Sequence, residues 1–281
     1  MKVVLPEKNQ IKKRQLLLYI LIMIICIICI VIAFYVQFFG GTLLNSEGKL
    51  GKKTQGQEEQ LKAEFDKLFY NVIEENEEIN QYKKADNSKS LVYTDVEKKE
   101  SKLNSYDIEL HIPQINVDND IIKGYNEEIK EIFVSKAESV LKSENKNIIY
   151  TVEYVANVQD GILSLMIRSN LKEGSNAQRV IIQTYNYDLR HNKEITLEEV
   201  LNLEGIDNNQ IQTKIREEIK KEQKKVQELK NLGYNIYSRD SSSDVYNLDN
   251  STEYYFTENT IYVIYAYGND KNTSEMDLIV I

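Results

Sequence analysis

Residues 148–189 read IIYTVEYVANVQDGILSLMIRSNLKEGSNAQRVIIQTYNYDL, and their pattern decides the fold. Three consecutive runs, 148–158, 162–170 and 178–189, are rich in β-branched and aromatic residues, as strands are. Asp160-Gly161 and the polar stretch 172–177 separate them. Both are hairpin signals, the Asp-Gly pair because it tolerates the positive φ of a tight turn. An antiparallel meander is expected.

Downstream, residues 196–202 form a short helix with Thr196 as N-cap and Glu199 at the capping-box position. A longer helix is expected over 208–232, with Ile211, Ile215, Ile219, Val226 and Leu229 on one face and Gly233 placed to cap it. Strands follow at 252–256 and 260–267, with a last one at 277–281. Upstream, 91–97 and 106–112 alternate apolar and polar residues, and Pro113 is expected to end the second strand. Asn116, Asp118, Asn119 and Asp120 then precede a helical pattern from Ile121 to Leu141. Asn116, Asp118, Asp120 and Glu127 match positions of a calcium loop, but Ile121 stands where that loop needs glycine. Helix N-capping explains the cluster without a metal. Residues 57–80, with Leu61, Phe65, Leu68, Phe69, Val72 and Ile73, read as an amphipathic helix docked on its own domain.

Further upstream, residues 16–39 contain no charge. As a helix they would reach roughly 36 Å, enough to cross a hydrocarbon core of about 30 Å. The preceding tail carries Lys2, Lys8, Lys12, Lys13 and Arg14 against Glu7, which places it in the cytoplasm and the C-terminal part outside the cell. The apolar run is longer than a signal-peptide core and lacks an A-x-A-like site, so an uncleaved signal-anchor is expected. The organisation is therefore a cytoplasmic tail (1–15), a transmembrane helix (16–39), a glycine-bearing tether (40–56) and an amphipathic helix (57–90). A first α+β domain (91–146) and a second (147–281) complete it. The fold class is α+β, a mostly antiparallel sheet with helices on one face, preceded by one transmembrane helix.

Composition limits the chemistry. The net charge of −9 disfavours nucleic acid and favours a cationic partner. Both cysteines, Cys26 and Cys29, lie in the apolar run, where their C-x-x-C spacing reads as helix packing rather than redox chemistry. His111 and His191 are the only histidines and are far apart in sequence, so no metal is expected. No nucleophile motif or phosphate-cradling glycine loop is present, so neither an enzyme nor a cofactor is expected. Tyrosine is abundant, with 19 residues and no tryptophan. The candidate binding face is Tyr254, Tyr255, Tyr262, Tyr265 and Tyr267 with Asn269, Asp270 and Glu275 of the adjoining loop, an acidic and aromatic patch. Packing of these tyrosines in a core is the competing reading.

Two stretches carry a resemblance, SYDIELHIPQI (105–115) followed by KGYNEEIKEIF (123–133), and QTYNYDLRHNKEITLEEVL (183–201). They resemble paired extracellular domains of unknown function found in lysozyme-sensing anti-sigma factors of the RsiV type and in some cell-wall polysaccharide deacetylases. The tail is expected to be too short to hold a sigma factor, and no catalytic domain is expected beside the two domains. The resemblance therefore implies the sensing or accessory half alone. The expected function is a membrane-anchored binding or sensing module of a bacterial cell envelope, taking a cationic protein such as lysozyme or a wall polymer. A structural or assembly factor for other membrane proteins is the alternative.

Overall fold

The computed structural model describes residues 50–51, 53–73, 79, 81–248, 252–268 and 276–281. The expected tail, the apolar run 16–39 and most of the tether lie outside them. Among the described residues no helix is long and apolar enough to cross a membrane. Lys52–Ile281 forms one compact unit, and it is α+β with a mostly antiparallel main sheet.

The helix expected over 57–80 is shorter and starts earlier. Thr54 and Gln57 form a capping box at the head of α1 (Gln55–Glu64), and a 3-10 turn follows at Phe65–Leu68. Asn71 then takes φ 58°. Its N–H donates to the Tyr154 carbonyl (2.8 Å), and its Oδ1 accepts from the Tyr154 N–H (3.1 Å). The chain leaves the helix because a sheet edge captures it, leading into the two-residue strand β1 (Val72–Ile73).

The long hairpin β2 (Val92–Lys102) and β3 (Tyr106–Ile115) runs further than its alternation suggested. Pro113 does not end β3. A bulge falls between Thr94 and Val96, opposite Pro113, where a residue without an N–H is tolerated. Asn119 accepts from the Ile121 N–H at 2.8 Å and caps α2 (Asp120–Ile129), as the capping reading required. A π-helical turn, Lys130–Val134, leads into α3 (Ser135–Lys142). These helices bury Ile122, Ile129, Phe133, Ala137 and Val140 against the sheet. Each such side chain is worth about 1.5–3 kcal/mol on burial.

The helical crossover delivers β4 (Ile148–Gln159) parallel to β3, from Tyr106 opposite Ile148 to Leu110 opposite Val152. Residues 91–146 and 147–281 thus contribute to one continuous sheet. The meander continues through β5 (Ile162–Glu173) and β6 (Arg179–Asp188) to the two-residue β7 (Lys193–Glu194). Asp160 (φ 50°) and Gly161 (φ 74°) make the expected tight turn. The sheet order is β2-β3-β4-β5-β6-β7, with β1 alongside β4. Thr196 and Glu199 form the capping box of α4 (Leu197–Leu203). The long helix α5 (Asn208–Asn231) ends with Gly233 at φ 91° and the bond from Tyr234 N–H to Leu229 carbonyl that closes a Schellman cap.

The last strands correct the expectation of helices on one face alone. β8 (Glu253–Thr257), β9 (Thr260–Ala266) and β10 (Met276–Val280) form their own antiparallel sheet, ordered β10-β9-β8. They share a second core with the outer face of the main sheet, through Val155, Met166, Ile182, Tyr255, Tyr262, Ile264 and Val280, with Phe65 and Phe69 from the end of α1. Both faces of the central strands are therefore buried, which is why β4 and β5 read as nearly continuous apolar runs.

Candidate functional site

The seam between the two sheets holds an unusual number of buried polar groups, and the edge of β8 explains them. A strand edge presents unpaired N–H and C=O groups that need partners when buried. Polar side chains on the outer face of β4–β6 supply them. The Phe256 N–H donates to Ser164 Oγ (3.0 Å), and the Tyr254 carbonyl accepts from Asn186 Nδ2 (3.2 Å). The Phe256 carbonyl accepts from Asn157 Nδ2 (3.3 Å), and the Tyr254 N–H donates to Thr184 Oγ1 (3.3 Å). The Ser164 hydroxyl donates to Asn186 Oδ1 at 2.6 Å, joining the set.

Glu253 begins β8 and takes both the N–H (2.7 Å) and the hydroxyl (2.6 Å) of Thr184. Burial raises its pKa, and the Thr184 bonds only partly oppose this. The folded protein then holds the proton more tightly than the unfolded chain, whose Glu titrates near about 4.3. Stability contributed by this group falls as pH rises from there through the folded pKa. Glu253→Gln should remove that slope. The stability of wild type relative to the variant, from urea unfolding at about pH 4 and about pH 7, is expected to fall with pH. A difference that grows with pH would show instead that the charge stabilises the fold.

Beyond α5, Arg239 is fully enclosed. Its guanidinium donates to Glu222 and Asp277 at 2.7 Å each, and lies over the rings of Tyr246, Tyr265 and Tyr267. Tyr265 donates its hydroxyl to the same Asp277 oxygen (3.0 Å), and Tyr246 donates to the Tyr267 carbonyl (3.0 Å). The cluster fixes the segment after α5 against β9 and β10.

Next to it opens a cleft of about 500 Å³ between β6 and β10. Its apolar lining is Phe65, Val180, Ile182, Ile264, Met276 and Leu278, and Asp66, Arg168 and Asp277 supply its charge. Arg168 donates to Asp66 and to Glu153 (2.8 Å) and stacks on Phe69, 4.1 Å from the ring centre. Each guanidinium here, Arg168 and Arg239, is thus held between two carboxylates. The cleft itself mixes apolar side chains with polar ones, Asn170 and Gln178 among them, and its charged lining is two carboxylates to one guanidinium.

The sequence-predicted binding face is only partly where it was expected. Tyr254, Tyr255, Tyr262 and Tyr265 are all 5% exposed or less and serve the core, which corrects their reading as a recognition surface. Tyr254 donates to the Ile195 carbonyl (2.6 Å), and Tyr262 packs on Phe65. Tyr267 is half-buried beneath Arg239. Asn269, Asp270 and Glu275 lie outside the described residues. The cleft adjoins this region through Met276 and Asp277, but the residues from β5 and β6 were missed. Arg168 was the available signal, a lone charge inside the apolar run ILSLMIRSNL.

The histidines lie on different elements. His111 occupies the less buried face of β3, with Glu109 at 3.9 Å. His191 is exposed, with Nδ1 2.7 Å from Asp188, a carboxylate that also accepts the N–H groups of Arg190 and His191 in the turn after β6. Among the described residues no group of three or more His, Cys, Asp or Glu is placed to hold a metal ion. Asn116 of the acidic cluster is buried and ties down the 86–90 loop through Asp86 and Ser90.

No family model and no curated protein matches the chain. Among solved structures it is similar to a DUF3298 family protein from Pseudomonas aeruginosa PAO1, at 11% identity, covering 38% of this chain and 56% of that one, with a TM-score of 0.29. It is also similar to a member of that family from Bacteroides fragilis NCTC 9343, at 10% identity, covering 38% of this chain and 59% of that one, with a TM-score of 0.24. The chain thus spans less than two thirds of the length of each of these structural neighbours, which belong to a family of domains of unknown function.

Proposed function

We propose that the protein is a membrane-anchored extracellular binding or sensing module of the cell envelope. It takes a cationic protein such as lysozyme, or a wall polymer, at the cleft between its two sheets. The observation that carries this reading is the cleft itself, where apolar side chains of both sheets stand beside one guanidinium, Arg168, and two carboxylates, Asp66 and Asp277. Apolar area supplies affinity, and the surplus negative charge selects a cationic partner and speeds encounter. The resemblance of 105–115 and 183–201 to lysozyme-sensing domains supports the same choice.

The test is a calorimetric titration of the full chain in detergent with lysozyme, at about 0.15 M and then about 0.5 M salt, where exposed charges are largely screened. Binding that persists at the higher salt is expected. Met276→Arg, which adds bulk and positive charge at the cleft, should weaken it about tenfold, or about 1.4 kcal/mol. Absence of binding at both salts, or binding indifferent to Met276→Arg, would remove this reading for lysozyme.

A further inference from the structure

The body of the fold covers only the first part of α5. Ile211, Ile215 and Ile219 are buried along one stripe of the helix. Glu222 and Gln223 are tied down further along, to the guanidinium and the carbonyl of Arg239. Beyond them the same stripe carries Val226 and Leu229, and Leu232 and Tyr234 follow at the cap. Leu229 is 39% exposed, Tyr234 59% and Leu232 74%. In a Schellman cap the residue after the glycine ordinarily packs on one in the last helical turn. Here that pair is Tyr234 and Leu229, and both remain open to water.

The charge on this part runs against that of the chain as a whole. Lys220, Lys221, Lys224, Lys225 and Lys230 are exposed on it, with only Glu222 and Glu228 to oppose them, whereas the whole chain carries −9. Attraction of cations to the negative end of a helix accounts for Lys230 in the last turn, and not for the other four. At about 100° per residue, Lys225 and Lys230 fall roughly 70° to either side of the Val226–Leu229 stripe. Apolar side chains flanked by lysines suit a bilayer interface, with the apolar groups among acyl chains and the ammonium groups among phosphates. Resting on the membrane anchoring proposed above, we infer that the distal end of α5 is a second, peripheral contact with an anionic bilayer surface. Leu229, Leu232 and Tyr234 enter the interface, and Lys224, Lys225 and Lys230 meet its phosphates. So short a patch holds only weakly by itself. Between Phe39 and Thr54 the chain can span no more than about 50 Å, which keeps an anchoring bilayer at high local concentration.

The chain has no tryptophan, so Tyr234→Trp supplies a single reporter at an exposed aromatic position. The full chain is reconstituted into vesicles of phosphatidylcholine, alone or mixed equally with phosphatidylglycerol, with brominated acyl chains as the quencher. In anionic vesicles the emission is expected to shift to the blue and to be quenched, and in neutral ones much less. Lys224→Glu combined with Lys225→Glu should lower the ratio of docked to free helix ends about tenfold. Amide exchange of residues 226–234 in the unsubstituted chain should slow in anionic vesicles. Where the two readouts disagree, exchange decides, since it needs no substitution. Exchange unaffected by the anionic lipid overturns the inference, as does quenching indifferent to the double lysine variant. A blue shift without quenching means that a second copy or another protein segment covers the helix end, and overturns it too. An alkaline wash tests anchoring separately. Chain released from the vesicles sinks the anchoring reading whatever α5 does, whereas chain retained with unaffected exchange sinks only the α5 contact.

Discussion

Arg239→Ala is expected to destabilise the protein by about 3–5 kcal/mol, the cost typical of removing one partner from a buried ion pair. The side chain is only 2% exposed, and it holds Glu222 and Asp277 together at 2.7 Å each. Its loss leaves two carboxylates facing each other and a gap among three tyrosine rings. Both carboxylates keep some access to water, with side-chain exposures of 38% and 24%, so they can recover part of their solvation. That relief places the expected value toward the lower end of the range. The rings pull the other way, since Tyr246, Tyr265 and Tyr267 lose a stacking partner that no small side chain replaces. Arg239→Met separates the two effects, because it refills the volume while leaving the carboxylates unpaired. Urea unfolding of the full chain measures both, with the midpoint shifting and the slope unchanged. A loss under about 1 kcal/mol for Arg239→Ala would mean that the charges are carried by solvent and that the cluster is not what fixes β10.

What the sequence made legible were the elements whose signals are local. The strands of 148–189 come from turn residues between apolar runs, and the caps at Thr196, Asn119 and Gly233 follow from backbone geometry within one turn. Where partners lie far along the chain, local pattern misled. The spacing of Leu61, Phe65, Leu68, Phe69 and Val72 suits a helix, but the hydrogen bonds Asn71 makes to Tyr154 outweigh propensity that no sequence window contains. Alternation in 252–281 announced strands, yet could not say that they pair with one another and stack on the main sheet. Local pattern therefore left open whether Tyr254, Tyr255, Tyr262 and Tyr265 face a partner or the core, and they point inward. The cleft joins positions near 65, 168, 180, 264 and 277, so it was invisible until the second sheet was placed.

Asn186→Ala is expected to cost about 2–4 kcal/mol, although it removes only a small side chain, because the loss is counted in orphaned partners. Asn186 accepts from the Ser164 hydroxyl and donates to the Tyr254 carbonyl, both in a seam closed to water. Each buried group left without a partner costs about 1–3 kcal/mol. The hydroxyl of Ser164 can rotate, so the carbonyl of Tyr254 bears most of the penalty. Ser164→Ala strikes the same network from the other side, leaving the Phe256 N–H unbonded. If the two side chains act as one unit, the double variant should cost less than the sum of the singles, with a coupling of about 0.5–3 kcal/mol in urea unfolding. Additive losses would mean that each residue serves the edge of β8 independently. A loss below about 0.5 kcal/mol for Asn186→Ala would mean that water reaches this edge. The small sheet would then be held chiefly by the shared apolar core, to which Met166, Ile182 and Ile264 belong. The coupled outcome assigns these polar residues a positional task, since an edge satisfied by fixed side chains can seat in only one register. That register sets β10 beside β6 and so defines the width of the cleft.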